Sequence, residues 1–227
     1  APGAARWTAC WDHSMADAVR EQIEQQIPEL HDLVASGIFD EGEIRRIVQK
    51  RLRFEYALRR RRTRKKDYVA YIEYELNCDK LRLRRKESRR IQKKRTAPSE
   101  IGGLKRILFI FQRAVQKFKG DLRLWADYFD FCERAGAHKV LGRAFAEALR
   151  FNPRRAELWV RAAAWEFNSS NNIKAARVLL QRGLRLAPES QKLWREYLRL
   201  ELLYLDKIQQ RRALLGLPPS AAAAAAP

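Results

Sequence analysis

The sequence is poor in the residues that mark strands, turns and membrane segments. Its 227 residues include only 10 glycines and 8 prolines, and clear alternation of apolar and polar residues, which is typical of half-buried strands, is hard to find. Helix-forming Ala, Leu, Arg, Glu, Gln and Lys dominate instead. No apolar run approaches the roughly 20 residues that span a bilayer, and no signal-peptide core is present. We therefore expect an all-α protein without a membrane segment.

Residues that carry chemistry are also scarce. The three cysteines, Cys10, Cys78 and Cys132, form no Cys-x-x-Cys pair, so we expect reduced thiols rather than a metal site or a disulfide framework. The three histidines lie in unrelated segments without a Ser or Cys partner pattern. Gly102-Gly103 precedes a helix but lacks the lysine and spacing of a phosphate-binding loop. We expect no enzymatic activity, no metal and no cofactor.

Acidic residues are outnumbered, with 27 Asp and Glu against 47 Lys and Arg, which gives a net charge of +20. Such a charge attracts a polyanion or an acidic protein surface. Two runs concentrate it: seven of the eight residues 59–66 are cationic, and residues 80–95 contain ten Lys or Arg and only Glu87 as an acid. We expect these cations to be too dense for local neutralisation, so that their potential extends outward.

Three interpretations of the basic runs stay open: a solvated helix face, a nuclear localisation signal, or a contact with RNA or an acidic partner tail. The candidate contact residues are Arg59, Arg60, Arg61, Arg62, Arg64, Lys65, Lys66, Arg82, Arg84, Arg85, Lys86, Arg89, Arg90, Lys93, Lys94 and Arg95.

Residues 16–66 have the pattern of an N-terminal helical region. Val19, Ile23 and Ile27 have helical spacing, Pro28 suits the first turn of a second helix, and Gly37 suits its end. A capping-box pattern from residue 40 to residue 43 predicts a long helix that runs to about residue 62, and residue 67 then caps the next helix.

We expect residues 1–15 to be a disordered leader and residues 218–227 to be a low-complexity tail.

The rest of the chain repeats itself. Trp125, Trp159 and Trp194, each preceded by Leu, lie 34 and 35 residues apart, and Pro153 and Pro188 lie 35 apart. Two helices in each unit of about 34 residues are typical of an α-solenoid, because a lone helical hairpin must stack on a neighbour to bury its apolar face. We expect the tryptophans to pack between helices rather than stack on bases.

The helix pairs fall into units with one irregular member. The first unit covers residues 67–120, with a second helix over residues 101–118 and a basic insertion at residues 80–100; residues 121–217 hold the regular units. The first helices of the regular units are predicted over residues 124–133, 158–167 and 193–205, and the second helices over residues 139–151 and 173–186. The repeat positions are Tyr68, Tyr71, Glu75, Trp125, Tyr128, Pro153, Trp159, Glu166, Pro188, Trp194, Tyr197 and Glu201.

The spacing Trp-x-x-Tyr-x-x-x-Glu, with a closing Pro, resembles the half-a-tetratricopeptide (HAT) repeat of RNA-processing scaffolds. Residues 194–201 match it fully, whereas Ala162 stands in the Tyr place of the second regular unit and Cys132 in the Glu place of the first. The glutamates recur once per repeat, too far apart for joint acid–base catalysis. We expect them to make structural hydrogen bonds between helices.

The N-terminal part resembles one particular family. The residues that carry the likeness are 27–30 (IPEL), 37–39 (GIF), 50–56 (KRLRFEY) and 71–75 (YIEYE), and they look like the N-terminal portion of the U3 small nucleolar RNA-associated protein 6 family. The resemblance covers about residues 16–215. It implies a HAT-repeat subunit of the small-subunit processome in the nucleolus, which helps to mature the 18S ribosomal RNA precursor.

The same resemblance implies WD-repeat β-propeller proteins as partners, with pre-ribosomal RNA and U3 small nucleolar RNA contacted directly or indirectly. Two alternatives stay open. The chain could be a HAT scaffold of pre-mRNA splicing or 3′-end processing, or a module that binds RNA directly through residues 59–66 and 80–95.

Overall fold

The computed structural model describes residues 17, 19–91 and 97–216, and within them the chain is helical with no strand. In that part of the chain, helical residues 19–24 lead into nine further helices. These are α1 (Ile27–Ala35), α2 (Glu41–Leu58), α3 (Lys65–Ser88), α4 (Pro98–Lys117), α5 (Leu122–Arg134), α6 (His138–Phe151), α7 (Ala156–Asn168), α8 (Ile173–Leu186) and α9 (Gln191–Leu214). The prediction of an all-α chain of helix pairs is confirmed.

The chain divides into two compact units between Ala135 and Gly136. In the first unit α1 packs on α2 and α4, α2 on α3, α3 on α4, and α4 on α5. Its core is aromatic and aliphatic: Tyr71 and Ile110 are fully buried, and Tyr71 stacks on Phe54 with ring centroids 4.9 Å apart. Burial of such rings is the main stabilising contribution available to an all-helical chain.

The second unit repeats one packing rule. Helix α6 packs on α7, α7 on α8 and α8 on α9, and α9 also contacts α7. The first helix of one pair therefore touches both its own partner and the first helix of the next pair. This is the nearest-neighbour stacking of an α-solenoid, in which each hairpin buries its apolar face against the following one.

Local sequence explains where the helices begin and end. Gly37 has φ of +65°, which suits the predicted helix end, and Gly136 has the same φ in the turn after α5. The capping box is also confirmed, because Glu43 Oε2 accepts a hydrogen bond from the Asp40 backbone nitrogen at 3.2 Å. Pro28 lies in the first turn of α1, where its missing N–H costs nothing.

Three predicted helix ends are wrong. Helix α2 ends at Leu58 rather than near residue 62. Helix α3 begins at Lys65, so Asp67 does not cap it from outside; its Oδ2 lies inside the first turn and accepts from the Arg64 backbone nitrogen at 3.1 Å. Helix α9 runs to Leu214 instead of residue 205. The predicted leader (residues 1–15) and tail (residues 218–227) lie outside the described residues.

Candidate functional site

The repeat tryptophans divide into two that are buried and one that is exposed. Trp125 and Trp159 are 0% and 6% exposed, so the prediction that they pack between helices is confirmed for both. Trp194 is 54% exposed, and there the prediction is wrong. Its ring lies on α9, the last described helix, and no described helix follows to cover it.

All three indoles make the same hydrogen bond. Each Nε1–H donates to the carbonyl oxygen six residues earlier, which belongs to Lys119, Pro153 or Pro188, at 2.9, 2.8 and 2.9 Å. The bond ties the start of each first helix to the end of the preceding helix pair. It explains why the closing residue and the tryptophan keep a fixed separation along the sequence.

A glycine makes room for the second of these rings. A Cβ added to Gly183 on α8 would lie 2.9 Å from Trp159 Cγ, closer than real carbon atoms approach. A residue without a side chain at this place on α8, directly before Leu184, therefore lets the helix pack against the indole face of the first helix. Tyr68, Tyr71 and Tyr128, which occupy other repeat positions, are buried as well, whereas Tyr197 is half-buried.

The repeat glutamates act structurally in two of three places. Glu75 is 2% exposed and joins two arginines from other helices: Arg51 Nε lies 2.8 Å from its Oε1, and Arg106 Nη1 lies 2.8 Å from its Oε2. Glu201 pairs with Arg177 of α8. These confirm the predicted bonds between helices, whereas the bond described for Glu166 uses its backbone oxygen, which accepts from the Asn172 nitrogen at 2.9 Å.

The pair at Glu75 extends into a buried network that the sequence did not indicate. Arg106 also donates to Glu29 of α1, and Arg51 Nη1 donates to Gln26 Oε1 at 3.0 Å. Burial raises the pKa of Glu29. Burial acts in the same direction on Glu75, but Arg51 and Arg106 outweigh it and lower the pKa of that carboxyl. The network therefore holds helices α1, α2, α3 and α4 together.

The first basic run, residues 59–66, forms the turn between α2 and α3 together with the first two residues of α3. Thr63 is buried at its centre, where its hydroxyl lies 2.9 Å from both the Leu58 and Arg60 carbonyl oxygens. Lys65 pairs with Asp121 at the start of α5. The exposed cations of this turn are Arg60, Arg61, Arg62, Arg64 and Lys66.

The second basic run is partly neutralised, so the expectation that its cations are too dense for local neutralisation is wrong for three of them. Arg82 is buried between Asp79 and Glu100, at 2.8 and 3.1 Å. Arg85 pairs with both oxygens of Glu43, at 2.6 and 2.8 Å. Lys86 Nζ lies 2.7 Å from Glu100 Oε1. Glu43 and Glu100 come from α2 and α4, so the run alone gives no sign of them.

What remains of the second run is smaller than its composition suggests. Arg84, Arg89 and Arg90 are exposed, whereas Lys93, Lys94 and Arg95 lie outside the described residues. Helix α3 continues through residue 88, so residues 80–88 of the basic insertion extend a repeat helix. The structure thus separates cations that stabilise the fold from cations that face solvent.

Two grooves lie at equivalent places in different repeats. One, of about 280 Å³, lies between α3 and α5, and the other, of about 200 Å³, lies between α7 and α9. The floor of each groove is formed by the residues one, four and eight positions after the repeat aromatic, which is Tyr68 in the first groove and Trp159 in the second. These are Val69, Ile72 and Leu76 in the first groove and Val160, Ala163 and Phe167 in the second.

The facing walls of the grooves differ in charge. At positions two and five after the tryptophan, the first groove carries Asp127 and Asp130, and the second carries Glu196 and Arg199. Glu73 adds a third acid to the first groove. The same lining includes Arg134, so three acids stand against one cation. The first groove is therefore negative on balance and favours a basic ligand, on a chain whose net charge is +20.

The part of the chain that the structure describes contains neither a metal-ligand cluster nor a membrane-spanning helix. Within residues 19–91 and 97–216 no cluster of three His, Cys, Asp or Glu side chains is placed to hold a metal ion. None of the helices described there is long and apolar enough to cross a membrane. Cys78 and Cys132 are free thiols, and burial raises the pKa of Cys132 to about 12, which makes it unreactive at neutral pH.

Comparison with known proteins agrees with the architecture. The sequence profile of the U3 small nucleolar RNA-associated protein 6 family matches residues 23–106, the segment that supplies the buried ion network. Several relatives carry that protein's name, and three of them are compared with this chain. The chain is 40% identical to the Schizosaccharomyces pombe protein over 201 residues, 35% identical to the Mus musculus homologue over 198 residues, and 34% identical to the Homo sapiens homologue over 198 residues.

The chain belongs to this family. The family that the sequence resembles is thereby confirmed. The matches cover 88%, 87% and 87% of this chain but only 41%, 33% and 33% of the three relatives. The chain thus spans between a third and two fifths of the length of the relatives it matches. At 198–201 residues each alignment is longer than either unit alone, so it extends into both units.

Proposed function

We propose that this chain is a non-catalytic scaffold segment of the small-subunit processome, which acts in the nucleolus in the maturation of 18S ribosomal RNA. The observation that carries the proposal is the likeness, at 34–40% identity over most of the chain, to proteins named for association with U3 small nucleolar RNA. The geometry supports it, because stacked helix pairs present extended surfaces and grooves rather than a reactive pocket.

The two repeat grooves are the proposed protein-docking sites. Each has an apolar floor between two successive first helices and polar walls whose charge differs between the two repeats. An apolar anchor flanked by charges is the arrangement through which extended segments bind helical-repeat proteins with specificity. Other processome subunits, among them WD-repeat β-propeller proteins, are the proposed partners, and pre-ribosomal and U3 RNA are the proposed nucleic acids.

Affinity purification from cells tests this proposal. The tagged chain should recover processome proteins together with ribosomal precursor RNA. A groove variant, Glu73→Lys with Asp127→Lys, should lose protein partners, because it reverses two exposed acids of the first groove. Glu87→Lys with Glu189→Lys reverses two exposed acids elsewhere and serves as the matched control.

The outcome also decides between the RNA-processing alternatives. Recovery of spliceosomal RNA or of the 3′-end cleavage machinery, without ribosomal precursor, would replace the proposal by the splicing or 3′-end alternative. If the groove variant and the control lose partners equally, the first groove is not a docking site. The proposal that the chain belongs to the processome would still stand.

A further inference from the structure

The turn that carries the first basic run is held rigid and lies beside a second turn. Lys65 pairs with Asp121, which lies just before α5, and the Tyr68 and Phe118 rings meet edge to face with centroids 5.9 Å apart. These contacts place the α2–α3 turn against the α4–α5 turn within the first unit. Arg123, which is exposed at the start of α5, thereby joins the exposed cations of the first turn.

We propose that these adjoining turns form one RNA-binding surface that grips the phosphate backbone. The surface, called here the turn patch, consists of Arg60, Arg61, Arg62, Arg64, Lys66 and Arg123. The inference rests on the proposed function, because it names the part of the chain that binds RNA. The neutralised part of the second basic run is not included in this surface.

The turn patch keeps its charge because the nearby acids are already engaged. Glu55 accepts from Arg113 Nη1 at 3.1 and 2.9 Å, Asp67 accepts from the Arg64 backbone, and Asp121 accepts from Lys65 and from the Leu124 backbone nitrogen at 3.1 Å. Within the described residues no carboxylate pairs with a side chain of the patch. Its guanidinium groups are therefore available for bidentate contacts to phosphate.

The turn itself is pre-organised. The buried Thr63 hydroxyl donates a bifurcated hydrogen bond to the Leu58 and Arg60 carbonyl oxygens, which closes the loop onto its own backbone, so the arginines project from a fixed frame. A fixed frame reduces the ordering entropy that binding must overcome. Tyr56, which is 48% exposed on the last turn of α2, adds an aromatic face on which a base can stack.

The composition of the patch favours RNA over an acidic protein. Protein interfaces depend on a buried apolar or aromatic anchor surrounded by a polar rim. The exposed residues of the turn are all cations, and the one uncharged residue among residues 59–66 is the buried Thr63. A surface of this kind binds through counterion release and tracks a backbone of repeating charge.

A matched pair of variants tests the inference by fluorescence anisotropy with a fluorescein-labelled oligouridine of about 12 nucleotides, a length within the range that single-stranded binding surfaces cover. The patch variant replaces Arg60, Arg61, Arg62 and Arg64 by Gln, and the control replaces Lys80, Arg84, Arg89 and Arg90 by Gln. Each removes four exposed charges from the net +20, so the overall attraction falls equally. Circular dichroism of both variants checks that they remain helical.

We expect the patch variant to bind about tenfold more weakly or worse, and the control to stay within about threefold of the parent chain. For single-stranded RNA the slope of log K against log salt should flatten by about 0.7 for each phosphate that the patch variant no longer neutralises. A variant with Lys at the same four positions should retain the parent slope, because it keeps the charges.

Three results would overturn the inference: equal weakening in both variants, normal binding by the patch variant, or an oligoglutamate peptide that competes as well as RNA at the same salt. The last would assign the patch to an acidic protein. None of these results would contradict the scaffold proposal. That proposal fails only if the parent chain recovers no ribosomal precursor from cells.

Discussion

Trp159 and Trp194 occupy the same position in successive repeats, and each donates its indole N–H to a proline carbonyl, yet one is 6% and the other 54% exposed. Periodicity along the sequence identifies the position but not the burial. Burial depends on whether another helix pair packs on the outer side, which is a property of the neighbour rather than of the residue.

The difference gives a prediction for two matched substitutions. Trp159→Ala should lower the free energy of unfolding by about 3–5 kcal/mol, because it empties a buried ring site. Trp194→Ala should lower it by less than about 1 kcal/mol, because its ring remains largely in solvent. Urea denaturation followed by circular dichroism measures both, and similar losses in the two variants would contradict the assignment of burial.

The residue scale also shows which positions sequence reasoning can assign. The glycine turns and the capping box follow from local geometry and were predicted correctly. Gly183 belongs to a run that the sequence repeats, but its contact with the Trp159 ring depends on the approach of two helices. The sequence placed the exposed Arg60 and the buried Arg82 among the same candidates, because the partner that separates them, Glu100 for Arg82, lies on another helix.

At the scale of the helix, the network around Glu75 joins elements that are far apart in sequence. Its arginine partners lie 24 and 31 residues away. The repeat spacing indicates that a glutamate stands at this position, but nothing local to α3 indicates which helices supply the cations. The predicted structural role was correct, and the identity of the partners required the packing of α2 and α4.

The network predicts a large difference between two similar substitutions. Glu75→Gln leaves two buried guanidinium groups short of a counter-charge and should cost about 3–5 kcal/mol of unfolding free energy. Glu201→Gln, in a partly exposed pair with Arg177, should cost less than about 1 kcal/mol. Chemical denaturation of both variants checks this. A Glu75→Gln chain as stable as the parent would mean that the buried charges are not coupled.

The ion pair between Glu43 of α2 and Arg85 of α3 makes the stability of the fold depend on pH. Hydrogen bonds from Arg85, helped by the Asp40 backbone, lower the pKa of Glu43 to about 2. Since this value lies below the roughly 4.3 of an unfolded glutamate, the carboxylate stabilises the fold above about pH 4 and loses that effect as pH falls toward about 2.

A comparison of Glu43→Gln with the parent isolates this effect. The variant should be less stable than the parent at neutral pH, and the difference should close between about pH 5 and pH 2. Urea titrations at a series of pH values measure the difference directly. A difference that stays constant over this range would show that the Glu43 carboxylate is not stabilised in the folded chain.

At the scale of the whole molecule, composition indicated the fold class and the sign of the charge, and the repeats indicated helix pairs. Composition could not indicate how the charge is distributed, because ion pairs between helices remove Arg82, Arg85 and Lys86 from the solvent-facing set. Grooves between successive first helices were likewise beyond the sequence, since they arise only when helix pairs stack.

A chain of net charge +20 with a pre-formed basic surface should be stabilised by polyanions. Because a ligand that prefers the folded state raises the midpoint of unfolding, oligouridine in excess should raise the thermal midpoint by a few degrees at low salt, on the order of 1 kcal/mol of linkage. The four-glutamine patch variant should show a smaller rise. A lowered midpoint would mean that the unfolded chain binds the polyanion better.

The burial of Thr63 also bears on whether a kinase could phosphorylate it. Arginines on both sides make residues 59–66 look like a target of kinases that prefer basic sites. Thr63 is 8% exposed, and the hydroxyl that a kinase would need is already hydrogen-bonded to two carbonyl oxygens. Phosphate transfer to it requires the turn to open first, so the folded chain protects a threonine that motif matching alone would mark as a phosphorylation site.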